Sequence, residues 1–547
     1  MNRRAARIAA SLVLAALAAA ACTHTGDRHA GQGNAWTVPG VLRIASRQDP
    51  SNLNILLGTE TIDTDLSMFW AAYLFHVSDK NVLVPELAMR EPTLRNGDIS
   101  KDGLAIRYRL RRGVTWQDGV PFTAGDLVYT WHQMLNPRNA VVSRQGYDLI
   151  SSIDQPDAYT VVVRLKRRYA PFVAGFFTMA NHPDCILPKH LLSRYPDLNR
   201  VAYNERPVGT GPFRIERYER GSEIVFTAND RYWRGPPGLR RIEWHIVAND
   251  NTMLAMLQSH AIDFFYRAPE TMVQSLRGIP GTRVVLSPFT RYADIGFNAS
   301  VPALSDVRVR RALAYATDRK ALVDKVTHGV TILGETDQPP FSWAYDPHAR
   351  HYPYDLAAAA RLLAAAGWRM QSDGIRYRNG RPLALTLASF TGSQTAAAAE
   401  ELIQAQWRQA GVDVSIKNYP SGQLYATQSA GGIEQSGKFD VIFENWANGF
   451  DPDDSILIAC KMAPPNGWNV YHFCSPALDA AENEALTQYD PPVRRAAYYR
   501  IQEIAAEGLP FFVLWYQQEL DVVNTDLQNY RPAHAVTPFW NAWEWRI

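Results

Sequence analysis

The chain has 547 residues, with 56 Lys and Arg against 54 Asp and Glu and a formal net charge of +2. That length exceeds the size at which one hydrophobic core stops growing, so two or three domains are expected. Hydrophobic residues at 46% and charged residues at 20% exclude a disordered chain, and basic residues spread along the whole length argue against nucleic-acid binding. The 15 Trp suit either a Trp-lined ligand cleft or a large ordinary core.

At the N-terminus, Arg3, Arg4 and Arg7 precede a small-apolar run over residues 8–21, broken only by Ser11. The run is too short to span a bilayer and suits the core of an export signal. It ends in Ala18, Ala19, Ala20, Ala21 and Cys22, which resembles a bacterial lipobox with Ala19 where Leu usually stands. The resemblance implies a lipoprotein signal over 1–21 and a lipid on Cys22. Ordinary cleavage after an Ala, leaving a free protein, is the alternative. Residues 22–37 are polar and Gly-rich, as a flexible tether would be.

Residues 41–45 open the mature chain with a strand-like run. Alternation at 106–110 and 159–165 predicts further strands. Residues 126–135 read as a helix, with Thr123 as N-cap and Asp126 completing a capping box. Residues 215–228 predict a hairpin turning at Gly221. Residues 308–326 carry a helical apolar stripe, Val309, Ala312, Leu313, Ala316, Leu322, Val323 and Val326. Helices over 356–366 and 396–410 stop at Gly367 and Gly411, and the second is followed by alternating residues 412–416. Helix, Gly, then strand is the rhythm of a layered α/β domain.

Familiar catalytic patterns fail on inspection. Residues 432–438 have the spacing of a phosphate-binding loop, but Phe439 stands where Ser or Thr must hold Mg²⁺. His348 and His351 lack an accompanying Glu or Cys ligand, and Asp451, Asp453 and Asp454 lack the Gly and distal Glu of a calcium loop. With Cys22 set aside, Cys185, Cys460 and Cys474 make one pair and one spare in an oxidising compartment. Cys460 and Cys474 bracket a short loop rich in Pro, Gly and Asn and form the simplest disulfide. Cys185 is then a buried spare thiol.

Ordered motifs run from residue 40 to the C-terminus. They are PELA at 85–88, YRLRRGVTWQDGVPFTAGDLV at 108–128, GTGPF at 209–213, NDRYWRG at 229–235, Phe297 with Asn298, VRRALAYATDR at 309–319, AGW at 366–368, and Phe439 and Asp440 followed by Trp446. In this order they resemble the extracellular solute-binding proteins of peptide (dipeptide and oligopeptide) ABC importers. Most have plain scaffold readings: Gly209-Thr-Gly-Pro as a tight turn, Asn229 and Asp318 as capping or bridging groups. The resemblance implies an α/β fold, a two-lobed type II periplasmic-binding-protein clam with an extra α/β domain in the first lobe. Lobe I then takes 38–78, 205–298 and 508–547, the extra domain 79–204, and lobe II 299–507.

The same resemblance places ligand between the lobes. Family peptide binders set an Asp three residues after the Trp that matches Trp446, to meet the ligand's ammonium. Here that position is Gly449, and the nearest acid is Asp451. Either Asp451 substitutes or the ligand lacks a free ammonium. The apolar run 441–443 is expected to end at the crevice, presenting Glu444, Asn445 and Trp446, with Asn448 in the loop beyond. Asn52 and Asn54 are the expected contacts from lobe I, or else turn caps. The implied protein is a monomeric, non-enzymatic capture device without a cofactor, lipid-anchored in the periplasm or at the cell surface. It delivers a peptide to the transmembrane subunits of a permease. Rival ligands are an oligosaccharide, an opine-like compound or a metal chelate. A secreted hydrolase is the rival of another class, and a transcription regulator would need a helix-turn-helix in place of the signal.

Overall fold

The computed structural model describes residues 33–181, 183–534 and 537–547. The export signal and Cys22 lie outside the described residues. The expected tether ends earlier than residue 37. The Asn34 amide N–H donates to Asp526 at 2.6 Å, the Thr37 hydroxyl donates to the same carboxylate at 2.5 Å, and Trp36 stacks on His260. An apolar ring and two acceptor-seeking groups sit inside that polar stretch, and they pin it down.

One 11-stranded sheet runs through the molecule. Its order is Asp413–Tyr419, Ala384–Phe390, Val441–Ala447, Thr282–Phe297, Phe511–Asn524, Phe264–Phe265, Val41–Ser46, Arg241–Ile246, Glu223–Ala228 and Phe213–Glu219, with Ile332–Leu333 added beside Phe511–Asn524. Helix Gln394–Gln409 joins the parallel pair Ala384–Phe390 and Asp413–Tyr419, the short βαβ crossover that the helix–Gly–strand rhythm anticipates. Trp407 on that helix is wholly buried, and its indole N–H donates to the Thr317 hydroxyl at 2.9 Å. Truncating such a side chain to Ala typically costs roughly 3–5 kcal/mol.

Two strands are far longer than the rest, Thr282–Phe297 and Phe511–Asn524, and they pair antiparallel. Residues 282–288 pair with 518–524, and Val522 and Val523 pack in cores built with Ala45, Phe264 and Trp244. Residues 292–296 pair with 511–516, and Ile295, Phe512 and Leu514 pack with Trp407, Val441 and Phe443. The register breaks between, leaving residues 289–291 opposite Gln517. The chain therefore passes from one core to the other at 289–291 and at 517. The boundaries expected at 298 and 508 mark strand ends, because the motif residues Phe297 and Asn298 close a strand already inside the second core.

The extra domain is a three-stranded sheet, Ala105–Arg109, Thr160–Leu165 and Ile150–Asp157, with helix Ala124–Leu135. That helix has its Thr123 N-cap and the Asp126 capping box. Its core is continuous with that of the first lobe, since Ile106 and Val161 share a cluster with Ile44 and Trp70. The hairpin Phe213–Glu219 and Glu223–Ala228 turns at Gly221, φ +71°. The stripe over 308–326 is two helices, Val307–Tyr315 and Arg319–Val326. Asp318 breaks it, because its carboxylate caps the second helix at the Ala321 N–H. Gly209 and Gly211 serve close approach: a Cβ at Gly209 would lie 1.9 Å from the Trp70 carbonyl oxygen. Cys460 and Cys474 are disulfide-bonded, and Cys185 is free and buried.

Candidate functional site

Where the long strands pass between cores, the two lobes face each other. A cavity of about 320 Å³ sits there. Its walls come from Gly58 to Thr64 of the first lobe, Asn181 of the extra domain, Phe289 and Thr290 of the bulge, and Ala447 to Gly449 of the second lobe. A larger cavity, about 820 Å³, opens between the extra domain at Glu91 to Arg95 and the second lobe at Trp343, Phe450 and Arg494. The facing surfaces touch. Asn181 donates to the Asp451 carbonyl at 3.0 Å and accepts from the Asp451 N–H at 2.8 Å. The Tyr169 hydroxyl donates to Asp453 at 2.9 Å, and the Tyr489 hydroxyl to the Gly103 carbonyl at 3.0 Å. This is a clam with its rims in contact.

Asp451 is not a free carboxylate. Both its oxygens accept from Arg494, each at 2.7 Å, and both side chains are buried. Its expected role as the ammonium partner is corrected accordingly: its charge is already matched inside the lobe. Gly449 is explained by the same contact. A Cβ there would lie 2.7 Å from the Asn181 side chain, which occupies the space beside the loop.

Strand Val441–Ala447 is buried at its start and opens toward its end. Side chains alternate across a strand, so Ile442, Glu444 and Trp446 share one face. On that face Trp446 is half-buried against a cluster containing Tyr292, Tyr419 and Ile442. Glu444 is buried, not an exposed strand end, and accepts from the Tyr471 hydroxyl at 2.8 Å. Directly across the ladder stands Asp294, with both carboxylate oxygens buried and without a hydrogen-bond partner. Glu434 lies alongside. Burial pushes Glu444 up to about 7 and Glu434 up to about 10, and holds Asp294 well above the usual carboxylate range. A second set, Asp337, Asp454 and Glu482, is raised in the same way, Glu482 to about 8. Among the described residues no cluster of His, Cys, Asp or Glu is arranged to hold a metal ion.

The remaining expected contacts divide. Asn445 points to the other face and accepts from the Gln517 amide at 2.9 Å. Asn448 borders the smaller cavity, donates to the Asp337 carbonyl at 2.9 Å, and keeps a buried carbonyl oxygen without a partner. Asn52 caps its own turn at the Asn54 N–H. Asn54 is wholly buried, bonded to Leu56 and Asn204, so it belongs to the scaffold and not to a cleft wall. Sequence reasoning missed Phe289, Thr290, Thr61, Thr64 and Asn181. Pro288 was the available signal for the first two, since Pro inside a central strand marks a bulge.

Two lobes strung on a pair of shared strands, with cavities between them, define a two-lobed type II binding protein. A family model described as bacterial extracellular solute-binding proteins, family 5, middle region, matches residues 82–466. The chain is 30% identical to Protein XP55 of Streptomyces lividans over 509 residues, covering 92% of this chain and 89% of that one. It is 26% identical to the oligopeptide-binding protein AppA of Bacillus subtilis over 512 residues, 92% and 91% of the two chains. The solved structure of that AppA, in complex with a nonapeptide, matches with a TM-score of 0.71 at 25% identity over 93% and 99%. NikZ of Campylobacter jejuni, solved with Ni(L-His), matches in fold with a TM-score of 0.75 at 24% identity over 93% and 100%. The chain belongs to the family 5 bacterial extracellular solute-binding proteins.

Proposed function

We propose that this chain is the peptide-capturing subunit of an ABC importer, holding its ligand between the lobes and handing it to the transmembrane permease. The observation that carries the reading is the cavity walled by both lobes and by the bulge on the strand that joins them. Ligands bind preferentially in such interdomain clefts, and hinge closure encloses them. Trp446, Glu444, Asn445 and Asn448 are the proposed contacts from the second lobe. The protein works as a monomer outside the cytoplasm, in the periplasm or at the cell surface, tied to the membrane by a lipid on Cys22.

Calorimetry on protein stripped of ligand by unfolding and refolding tests the capture step. Peptides of two to nine residues should bind, and Trp446→Ala should weaken them by at least about tenfold, the equivalent of about 1.4 kcal/mol. Absence of binding by any peptide overturns the reading. The anchor is tested by fractionation: Cys22→Ala should move the protein from the membrane to the soluble fraction, and identical fractionation of wild type and variant removes the lipid.

A second reading has its own support. Asp451 is neutralised by Arg494 and position 449 is Gly, so the loop on which family peptide binders hold an ammonium supplies no free acid of its own, and the acid lining the cavity is Glu60 of the first lobe. A ligand without a free amino group, such as a metal chelate or an oligosaccharide, fits that wall as well as a peptide does.

A further inference from the structure

Arg291 is the last of the three residues that bulge out where the long strands pass between the lobes. A bulge re-aims the side chains it carries. Its neighbours Phe289 and Thr290 line the smaller cavity, and its backbone partner across the ladder is Ala447, which lines it too. The Arg291 guanidinium stands 5.4 Å from the Phe289 ring and makes no hydrogen bond or ion pair with any described residue. It is half-buried.

The charges around it do not neutralise it. Arg267 repels it and Glu519 attracts it, but Glu519 and Asp65 are both ion-paired with Arg267. The Arg267 guanidinium lies 3.0 Å from Asp65 and 2.6 Å from Glu519. Burial and Arg267 together make the Arg291 proton easier to lose than that of an ordinary Arg. A guanidinium cannot escape by deprotonating at neutral pH, so a partly desolvated one without a partner is a cost that an incoming anion removes. Arg presents a planar fork of donors that matches a carboxylate with two parallel bonds.

We infer that Arg291 is an anion subsite of the interlobe cleft, and that the chain holds its ligand by a carboxylate at the hinge instead of by an ammonium at the Trp446 loop. The inference rests on the proposed interlobe ligand site and names the chemistry it selects. The two observations are complementary: an unpaired cation at the bulge, and a family ammonium position whose nearest acid along the loop, Asp451, is locked to Arg494. The preferred solute carries at least one carboxylate reaching the bulge, either a peptide C-terminus or an acidic group.

The test uses stripped full-length protein and three probes read by thermal shift at graded concentrations. They are a mixture of random tetrapeptides as free acids, the same mixture with C-terminal amides, and citrate. In wild type the acids should act at concentrations about tenfold or more below the amides. Arg291→Gln should abolish that difference, and Arg291→Lys should keep part of it. The acid-to-amide comparison in wild type needs no variant, so a poorly folding variant does not weaken the test. Equal action of acids and amides in wild type, or an undiminished difference in Arg291→Gln, overturns the subsite. A shift with citrate alone that Arg291→Gln abolishes keeps the subsite and overturns the peptide reading. No shift with any probe overturns the subsite.

Discussion

Arg494 holds Asp451 by two parallel bonds of 2.7 Å, donates a third to the Ala485 carbonyl, and lies over the Trp343 ring at 5.1 Å. Two charges removed from water together are tolerable, while one left alone is not. Breaking such a buried pair from one side typically costs about 3–5 kcal/mol. Asp451→Asn and Arg494→Met should each lower unfolding stability by about that amount in denaturant titration, and the double variant should lose much less than their sum. Additive losses would show that the pair does not act as a unit. The absence of the family's Asp at position 449 is legible in the sequence. That Asp451 is taken is not, because its partner lies 43 residues away and no local pattern links the two. Nor does the sequence show Asn181 filling the space beside Gly449, since that contact joins residues across the clam.

At the scale of elements, strand Val441–Ala447 sets Glu444 directly opposite Asp294 of the neighbouring strand. Like charges facing each other across a ladder are unfavourable, and burial adds to the cost of ionising either. Glu444 at about 7 and Glu434 at about 10 keep protons that the unfolded chain, with an ordinary value of 4.5, has already released. Their contribution to stability is therefore fully present below about pH 4.5 and is lost as pH rises through 7 toward 10. The melting temperature should fall from pH 5 to pH 8, with a slope on the order of 1 kcal/mol per pH unit for each proton retained. Glu434→Gln should flatten that slope in scanning calorimetry, and an unchanged slope would remove this cluster as its source. Elements with local signals were legible: the Thr123 cap, the Gly221 turn, the helices ended by Gly367 and Gly411. The apolar stripe over 308–326 hid a break because Ala316, Thr317 and Asp318 fit a continuous helix by period, and the Asp318 cap competes locally. The bulge at 289–291 hid for the opposite reason. Its only mark is Pro288, and a register shift is a property of two strands, not of one.

At the scale of the whole molecule, ordered short motifs recovered the two-lobed α/β fold and the extra domain. Most of those motifs are scaffold: Asn229 donates to the Gly211 carbonyl at 2.9 Å, and Gly209 and Gly211 let a backbone approach Trp70 and Ala71. Motifs that hold a fold together survive as patterns, which is why the architecture could be read. The walls of the interlobe cavity come from separated segments, residues 58–61 and 64, 181, 289–290 and 447–449, which only the fold brings to one place. The shared sheet explains how the parts work together. Two long strands cross between cores at a bulge, and the rims on either side of it meet through Asn181 and Tyr169. The central claim is that what this clam closes on is a peptide. Native mass spectrometry of the protein purified from its own host tests it most directly. Retained ligand should be released as masses that fragment into peptide sequence, with free carboxyl termini. A retained sugar or metal complex, with no peptide among the released masses, would contradict it.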